Sequence, residues 1–374
     1  MKFRSPLSAL ISAVLLLVVI PAHAKTLRVL NWSDYVDEAM LERFQQEQGV
    51  ELVYELFESE DEFLQTFLEA KEPWDIIVPP SAMIPFLSAR KLISPLDDKR
   101  LPMRKGLEKG IMEQLQMQDP GNRFAVPYMW GTTGLGVNEK MLAAQGVPAD
   151  KMDSWSLLYD DELRSKAAQC GIALLNEPSE LFASALVYLG YSVNTTDGKE
   201  LKAAGALLKR TVGDTRYLHT SQYSADLASG KLCLAVGYSG DILADVDASE
   251  NEEVLYHVPV EGAAVWFDVM AVPSSSKQKT LAHAFINFMM QPDVAAANTN
   301  YVAYPNAVPA SLELMDEEVR EDPAVYPSAD VQSRLQGVRS ADRKTRRVKR
   351  KLWVAANCHS GRFCQIPMKN PYGY

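Results

Sequence analysis

Thr26-Leu-Arg-Val-Leu30, Val50-Glu-Leu-Val-Tyr-Glu-Leu56 and Asp75-Ile-Ile-Val-Pro79 are three short apolar runs, and the segments between them repeat apolar residues at helical spacing. Runs of this length read as strands, and the spacing over 37–48 and 60–70 predicts two helices. Strand, helix, strand, helix, strand is the alternation of a parallel sheet with helices on both faces. Such a sheet binds ligands beyond the carboxyl ends of its strands. Asn31-Trp-Ser-Asp-Tyr35 and Pro79–Ala82 both fall there.

The pattern resumes later, with strands expected over 172–175, 232–237 and 254–260. Between the two sets lies Phe124-Ala-Val-Pro-Tyr-Met-Trp-Gly-Thr-Thr-Gly-Leu-Gly-Val-Asn138, two extended runs joined by glycine and threonine, read as a crossing between lobes. Its glycines do not follow a dinucleotide fingerprint, which argues against phosphate binding. Ala263–Pro273 is the expected return crossing. A chain of 374 residues exceeds what one core supports, so an α/β protein of two lobes is expected. The division drawn is 25–131 with 264–310 for one lobe and 132–263 with 311–353 for the other. Residues 354–374 form a tail with no role read from them. Leu281, Phe285, Phe288 and Met289 line the core face of a helix ending near Gln291. From Arg334 to Lys351 Asp342 alone opposes many basic residues, the pattern of a solvated basic helix, with contact to an acidic partner as the alternative.

Residues 1–24 have the three parts of an export leader: Lys2 and Arg4, the apolar run Leu7–Ile20, and the small-residue site Ala22-His-Ala24. The run is shorter than the roughly 20 residues of a spanning helix, and no cysteine follows the site to carry a lipid. A soluble periplasmic protein beginning at Lys25 is expected. The formal net charge is −10, and removing Lys2 and Arg4 with the leader makes it −12. Acidity favours cationic ligands and disfavours nucleic acid, although solubility alone also explains it. Four cysteines in an oxidising compartment allow two disulfides in three connectivities. Cys170 precedes one strand and Cys233 lies within another, so the reading pairs these two, and Cys358 with Cys364. Cys358-His-Ser-Gly-Arg-Phe-Cys364 offers three metal ligands without a fourth at a usual spacing, which favours a small disulfide loop over a metal. No cofactor is expected.

Trp32, Asp34 and Tyr35 supply a flat π face, a carboxylate and a phenol, the groups that hold a small organic cation. A diamine shows what such a site requires. Burying four methylenes gives roughly 3 kcal/mol, each ammonium in charge-assisted hydrogen bonds about 1.5–3, and each aromatic face about 0.5–2. Association costs at least about 4 kcal/mol, so micromolar affinity, about 8 kcal/mol, needs acids at both ends. Further acids stand at strand ends in Asn176-Glu-Pro-Ser-Glu180, Tyr238-Ser-Gly-Asp241 and Trp266-Phe-Asp268. A salt bridge or a turn explains any one of them equally well, but four aromatic-acidic clusters together favour a site.

These motifs, with Asp75-Ile-Ile-Val-Pro79 and Val126-Pro-Tyr-Met-Trp-Gly-Thr-Thr-Gly134, resemble the periplasmic polyamine-binding proteins, the spermidine and putrescine receptors of ABC importers. The similarity runs in order from about Lys25 to about Trp353. It implies a two-lobed periplasmic binding protein fold, type II-like, closing over a ligand in the cleft between lobes. It further implies a monomer that captures putrescine or spermidine and delivers it to an inner-membrane permease. By position, Trp32, Tyr35, Tyr238, Trp266 and Tyr304 would box the methylenes, Asp34, Glu180, Asp241 and Asp268 would hold the ammonium groups, and Ser33 would hydrogen-bond. Putrescine receptors of this family also carry cysteines at the positions of Cys170 and Cys233.

Two departures bear on the ligand. Tyr238 stands where tryptophan is usual, and Pro80 where a serine commonly follows Val-Pro, leaving Ser81 as the substitute. Glu177 adds a carboxylate near Glu180 that would suit a third ammonium, so diamine against triamine stays open. The alternatives are a receptor for another cationic amine or amino-alkyl acid, a sensor, or an exported hydrolase. The sequence has no nucleophile elbow, His-Glu-x-x-His or phosphate loop, and His219, His257, His283 and His359 lie outside the motifs, so an enzyme is not expected.

Overall fold

The computed structural model describes residues 25–339 and 341–359. The leader and the expected Cys358–Cys364 pair lie outside the described residues and side chains.

The strands are β1 (Lys25–Trp32), β2 (Val50–Phe57), β3 (Ile76–Ile77), β4 (Ala125–Asn138), β5 (Ile172–Leu175), β6 (Tyr217–His219), β7 (Leu234–Tyr238), β8 (Val254–His257), β9 (Ala264–Ala271) and β10 (Gln336–Gly337). They run in the order β2-β1-β3-β9-β4-β7-β5-β6, with β10 beside β9 and β8 beside β4. The outer strands are parallel, as the alternation requires: β1 with β2 and β3, and β5 with β6 and β7. β4 and β9 are antiparallel to each other, and to β7 and β3, because they carry the chain out of one half and back. The sheet is therefore mixed, where the sequence suggested a parallel one.

β4 is also one strand of fourteen buried residues rather than two joined runs. Its first part pairs with β9 from Ala125 opposite Ala271 to Thr133 opposite Ala264, and its last part pairs with β7 and β8. Gly131 does not break it. A side chain there would collide with the Trp266 ring, so glycine is present for packing.

One apolar core gathers residues of 27–130 and 265–308. Two others gather residues of 135–264, joined by Ala324 and Trp353. The fold is thus two-lobed, with β4 and β9 crossing between the cores. Cys170, ending the helix Asp161–Cys170, is disulfide-bonded to Cys233, just before β7. The basic helix Arg343–His359 packs on the helix Gly198–Asp214, burying Trp353 and leaving Arg343, Lys344, Arg347, Arg350 and Lys351 exposed. Lys349 turns inward, its Nζ 5.7 Å over the Phe182 ring. Among the described residues no helix is long and apolar enough to cross a membrane.

Two helix starts set up the site. Ser59 caps Glu60–Glu69 by accepting from the Glu62 amide, while the Glu62 carboxylate accepts from the Glu58 amide, a reciprocal cap that fixes Glu60 in the first turn. Glu177 caps Pro178–Tyr188 by accepting from the Ser179 amide, with Glu180 one turn in.

Candidate functional site

β1 and β3 run opposite to β5 and β7, so the carboxyl ends of the two sets point toward each other over the middle of the crossing strands β4 and β9. Asp268 of β9 pairs with Pro80, just past β3, and is 6% exposed. The Tyr35 hydroxyl donates to its Oδ2 at 2.9 Å, and the Tyr128 hydroxyl donates to the Tyr35 carbonyl at 2.6 Å, fixing the ring. The Trp32 indole N–H stands near Asp268 without closing a hydrogen bond. Burial lifts the Asp268 carboxyl to about 7, against the lowering by Tyr35 and Trp32.

Asp241 comes from the other half, in the first turn of the helix Ser239–Ser249 after β7. The Tyr304 hydroxyl donates to its Oδ1 at 2.7 Å, and the Tyr223 hydroxyl to Oδ2 at 2.9 Å. Tyr304 belongs to the first core and Asp241 to the second half, so this bond joins the lobes. Burial raises the Asp241 carboxyl, the two phenols oppose it, and Asp245 adds to it. Burial drives the hydroxyls of Tyr35, Tyr223 and Tyr304 well above their ordinary value, so at neutral pH they act only as donors toward the acids.

A row of rings links the two acids. Tyr35 meets Tyr304 edge-on at 5.5 Å, Tyr304 meets Trp266 at 5.2 Å, and Trp266 meets Tyr238 at 5.5 Å. Gly240 seats Tyr304, since a side chain there would run into its ring, just as Gly131 seats Trp266. Trp32 lies apart, packed on Phe57 at 4.4 Å.

A second group of acids faces the first. Glu180 is 7% exposed, and its Oε2 is shielded from solvent without a hydrogen-bond partner. Burial lifts it to about 7; Glu177 adds to this, while Thr133 and Lys349 oppose it. Glu177 is raised by burial, opposed by its bonds to Ser179, with Asp61 adding. Glu60, from the other lobe, is pushed up to about 8 by burial, then by Glu177, Asp268, Glu180 and Asp61.

The structure thus gathers Tyr35, Glu180, Tyr238, Asp241, Trp266, Asp268 and Tyr304, with Trp32 at the edge. Asp34 is exposed at a left-handed φ of 51°. Ser33 is half-buried, its amide donating to the Phe57 carbonyl at 3.1 Å. Ser81 is buried at the start of a short turn, next to Pro80. Sequence reasoning missed Glu60, Tyr128, Tyr223 and Lys349. Only Glu60 carried a signal, as an acid just beyond the carboxyl end of a predicted strand.

Fold and site together define a two-lobed binding protein with an aromatic and acidic cleft. Residues 39–327 match the bacterial extracellular solute-binding proteins, and the chain belongs to that family of binding proteins, which are not enzymes. It is 39% identical over 338 residues to a putrescine-binding periplasmic protein of Pseudomonas aeruginosa, covering 89% of this chain and 92% of the relative. It is 36% identical over 357 residues to a putrescine-binding periplasmic protein of Escherichia coli, covering 93% and 96%. Among solved structures, a spermidine/putrescine ABC transporter substrate-binding protein from Streptococcus pneumoniae superposes with a TM-score of 0.80 at 28% identity, over 90% of this chain and 100% of that one.

Proposed function

We propose that this protein captures a polyamine of the putrescine and spermidine class in the periplasm and delivers it, as a monomer, to an inner-membrane ABC permease. The observation that carries the reading is the pair Asp241 and Asp268. They come from different lobes, accept hydrogen bonds from neutral phenols, and are held by the adjacent rings Tyr35 and Tyr304, from which the aromatic row runs on to Trp266 and Tyr238. A buried carboxylate without a cation is costly, and an ammonium at each end removes that cost while the rings cover the methylenes. Tyr35, Tyr238, Trp266 and Tyr304 are assigned to the chain of the ligand, and Trp32, Ser33 and Ser81 to its rim. Asp34, exposed here, is assigned to the entrance. Binding is reversible, with the lobes opening and closing about the crossing strands β4 and β9.

Isothermal titration tests this on protein purified from the periplasm, unfolded and refolded to strip carried-over ligand. Putrescine, cadaverine, spermidine, arginine and aminovalerate are the titrants. Saturable binding of a di- or triamine at micromolar affinity or tighter is expected. No heat with any amine, or preference for aminovalerate, overturns the reading.

A further inference from the structure

The acids of the cleft are not equally compensated from within the protein. Glu180 has Lys349, carried inward by the C-terminal helix, as a basic neighbour. Asp241 and Asp268 have their phenol donors. Glu60 has neither. It is half-buried, makes no hydrogen bond or ion pair among the described residues, and the charged groups that act on it most are other acids. Across the cleft it faces Glu177, which commits Oε1 to Ser179, at 2.8 Å from the hydroxyl and 3.3 Å from the amide. Asp61 adds negative potential to both.

Two further atoms beside these acids call for a polar guest. Glu180 Oε2 is buried and accepts no hydrogen bond. The Thr133 hydroxyl, on a residue 1% exposed, stands near Glu180 without closing one. Buried unpaired polar atoms are rare in folded proteins. Among the described residues no three acids or histidines are placed to share a metal ion. Spaced N–H donors on an organic cation fit this arrangement, and a compact ion does not.

We propose that Glu60 is a ligand-binding carboxylate of the first lobe which, opposite Glu177, receives a third protonated nitrogen and makes a triamine of the spermidine type the preferred ligand. This rests on the polyamine reading and narrows it, against the putrescine in the names of the relatives at 39% and 36% identity. With Glu180 offset by Lys349, four carboxylates remain without a cation: Glu60, Glu177, Asp241 and Asp268. A dication leaves two of these carboxyl groups to stay protonated or to carry an unpaired charge in the cleft, and a trication leaves one.

The test is titration of wild type and Glu60→Gln with putrescine and with spermidine, using the full secreted protein. Wild type is expected to bind spermidine about tenfold or more tighter than putrescine. Glu60→Gln is expected to weaken spermidine about tenfold while putrescine holds or tightens, because the variant removes a charge that a diamine leaves unpaired. Equal weakening of both ligands, or no change in either, overturns the proposal. A test free of any variant uses wild type with N-acetylspermidine, which keeps the chain and loses one charge, and the same tenfold loss is expected. If wild type prefers putrescine, the Glu60 assignment fails and the polyamine reading stands. If no amine binds, both fail.

Discussion

Asp268→Asn separates the charge of the site from its shape. The side chain is 6% exposed, opposite Pro80, with the Tyr35 hydroxyl on Oδ2 at 2.9 Å, and asparagine keeps that geometry with its carbonyl oxygen as acceptor. What disappears is the negative charge, so a bound ammonium loses a charge-assisted hydrogen bond and stays partly buried without a counter-charge. Truncating one member of such a pair costs about 2–5 kcal/mol; taking about 3 and about 1.4 per decade, affinity falls roughly 100-fold. The effect on the unliganded protein has the opposite sign. Burial lifts Asp268 to about 7, so ionising it in the fold is unfavourable, and the neutral amide removes that penalty. Unliganded melting temperature at pH 8 should therefore hold or rise in the variant, while the rise given by ligand nearly vanishes. Titration calorimetry and thermal melts with and without putrescine or spermidine measure both quantities. A dissociation constant within about threefold of wild type would refute the assignment of Asp268, and an unfolded variant would refute the claim that its charge is a burden to the fold.

Three further outcomes follow from the same geometry. Gly240→Ala pushes the Tyr304 ring off Asp241 and should weaken the amine by about tenfold with little loss of fold, read by titration calorimetry and circular dichroism. Stability without ligand should fall as pH rises from about 4 to about 8. Asp268 and Glu180 at about 7, and Glu60 at about 8, keep their protons in the fold after the unfolded chain has released them, so the folded form is favoured below the unfolded pKa values and loses that advantage toward pH 8. Melts across this range with ligand absent check it, and a flat or rising profile counts against buried, uncompensated acids. Replacing Cys170 and Cys233 by alanine opens a bridge between residues 63 apart, a loss of about 4 kcal/mol by chain entropy, visible as a lower melting temperature with ligand affinity unchanged.

The β-α-β start was legible because its periodicities are local. Val50–Phe57 and Glu38–Gln48 declare themselves by spacing, and Asp37 and Gly49 mark the ends of that helix. β4 was not read as one strand because glycine and threonine normally punctuate, and the reason for Gly131 lies more than a hundred residues away in Trp266. The acids after the second-lobe strands and at the return crossing stood out beside aromatic residues or at strand ends. Glu60 did not, since an acid in the first turn of a helix already has an ordinary explanation in the helix dipole. Tyr223 lies in a helix with no acid of the site near it in sequence; only the fold brings it to Asp241. The direction of Asp34 depends on a left-handed backbone turn that its neighbours in sequence do not encode.

The distribution of acids between the lobes bears on when the cleft closes. Asp268 and Glu60 come from one side, and Glu177, Glu180 and Asp241 from the other, with Lys349 the basic side chain turned toward them. Opened to water, these carboxylates are hydrated and screened. Brought together, they lose solvent and raise one another's pKa, so closure on its own must pay for desolvation, for repulsion, or for taking up protons. A polycation removes all three costs, yet only in the closed form, where it touches acids from both sides. A ligand shifts an equilibrium by its differential affinity for the two states, and here the differential is the charge it carries into the closed cleft. A monoamine of equal apolar area therefore gains the aromatic contacts but leaves the lobes apart. Selectivity for charge number and coupling of capture to closure are, on this argument, one property of the same carboxylates.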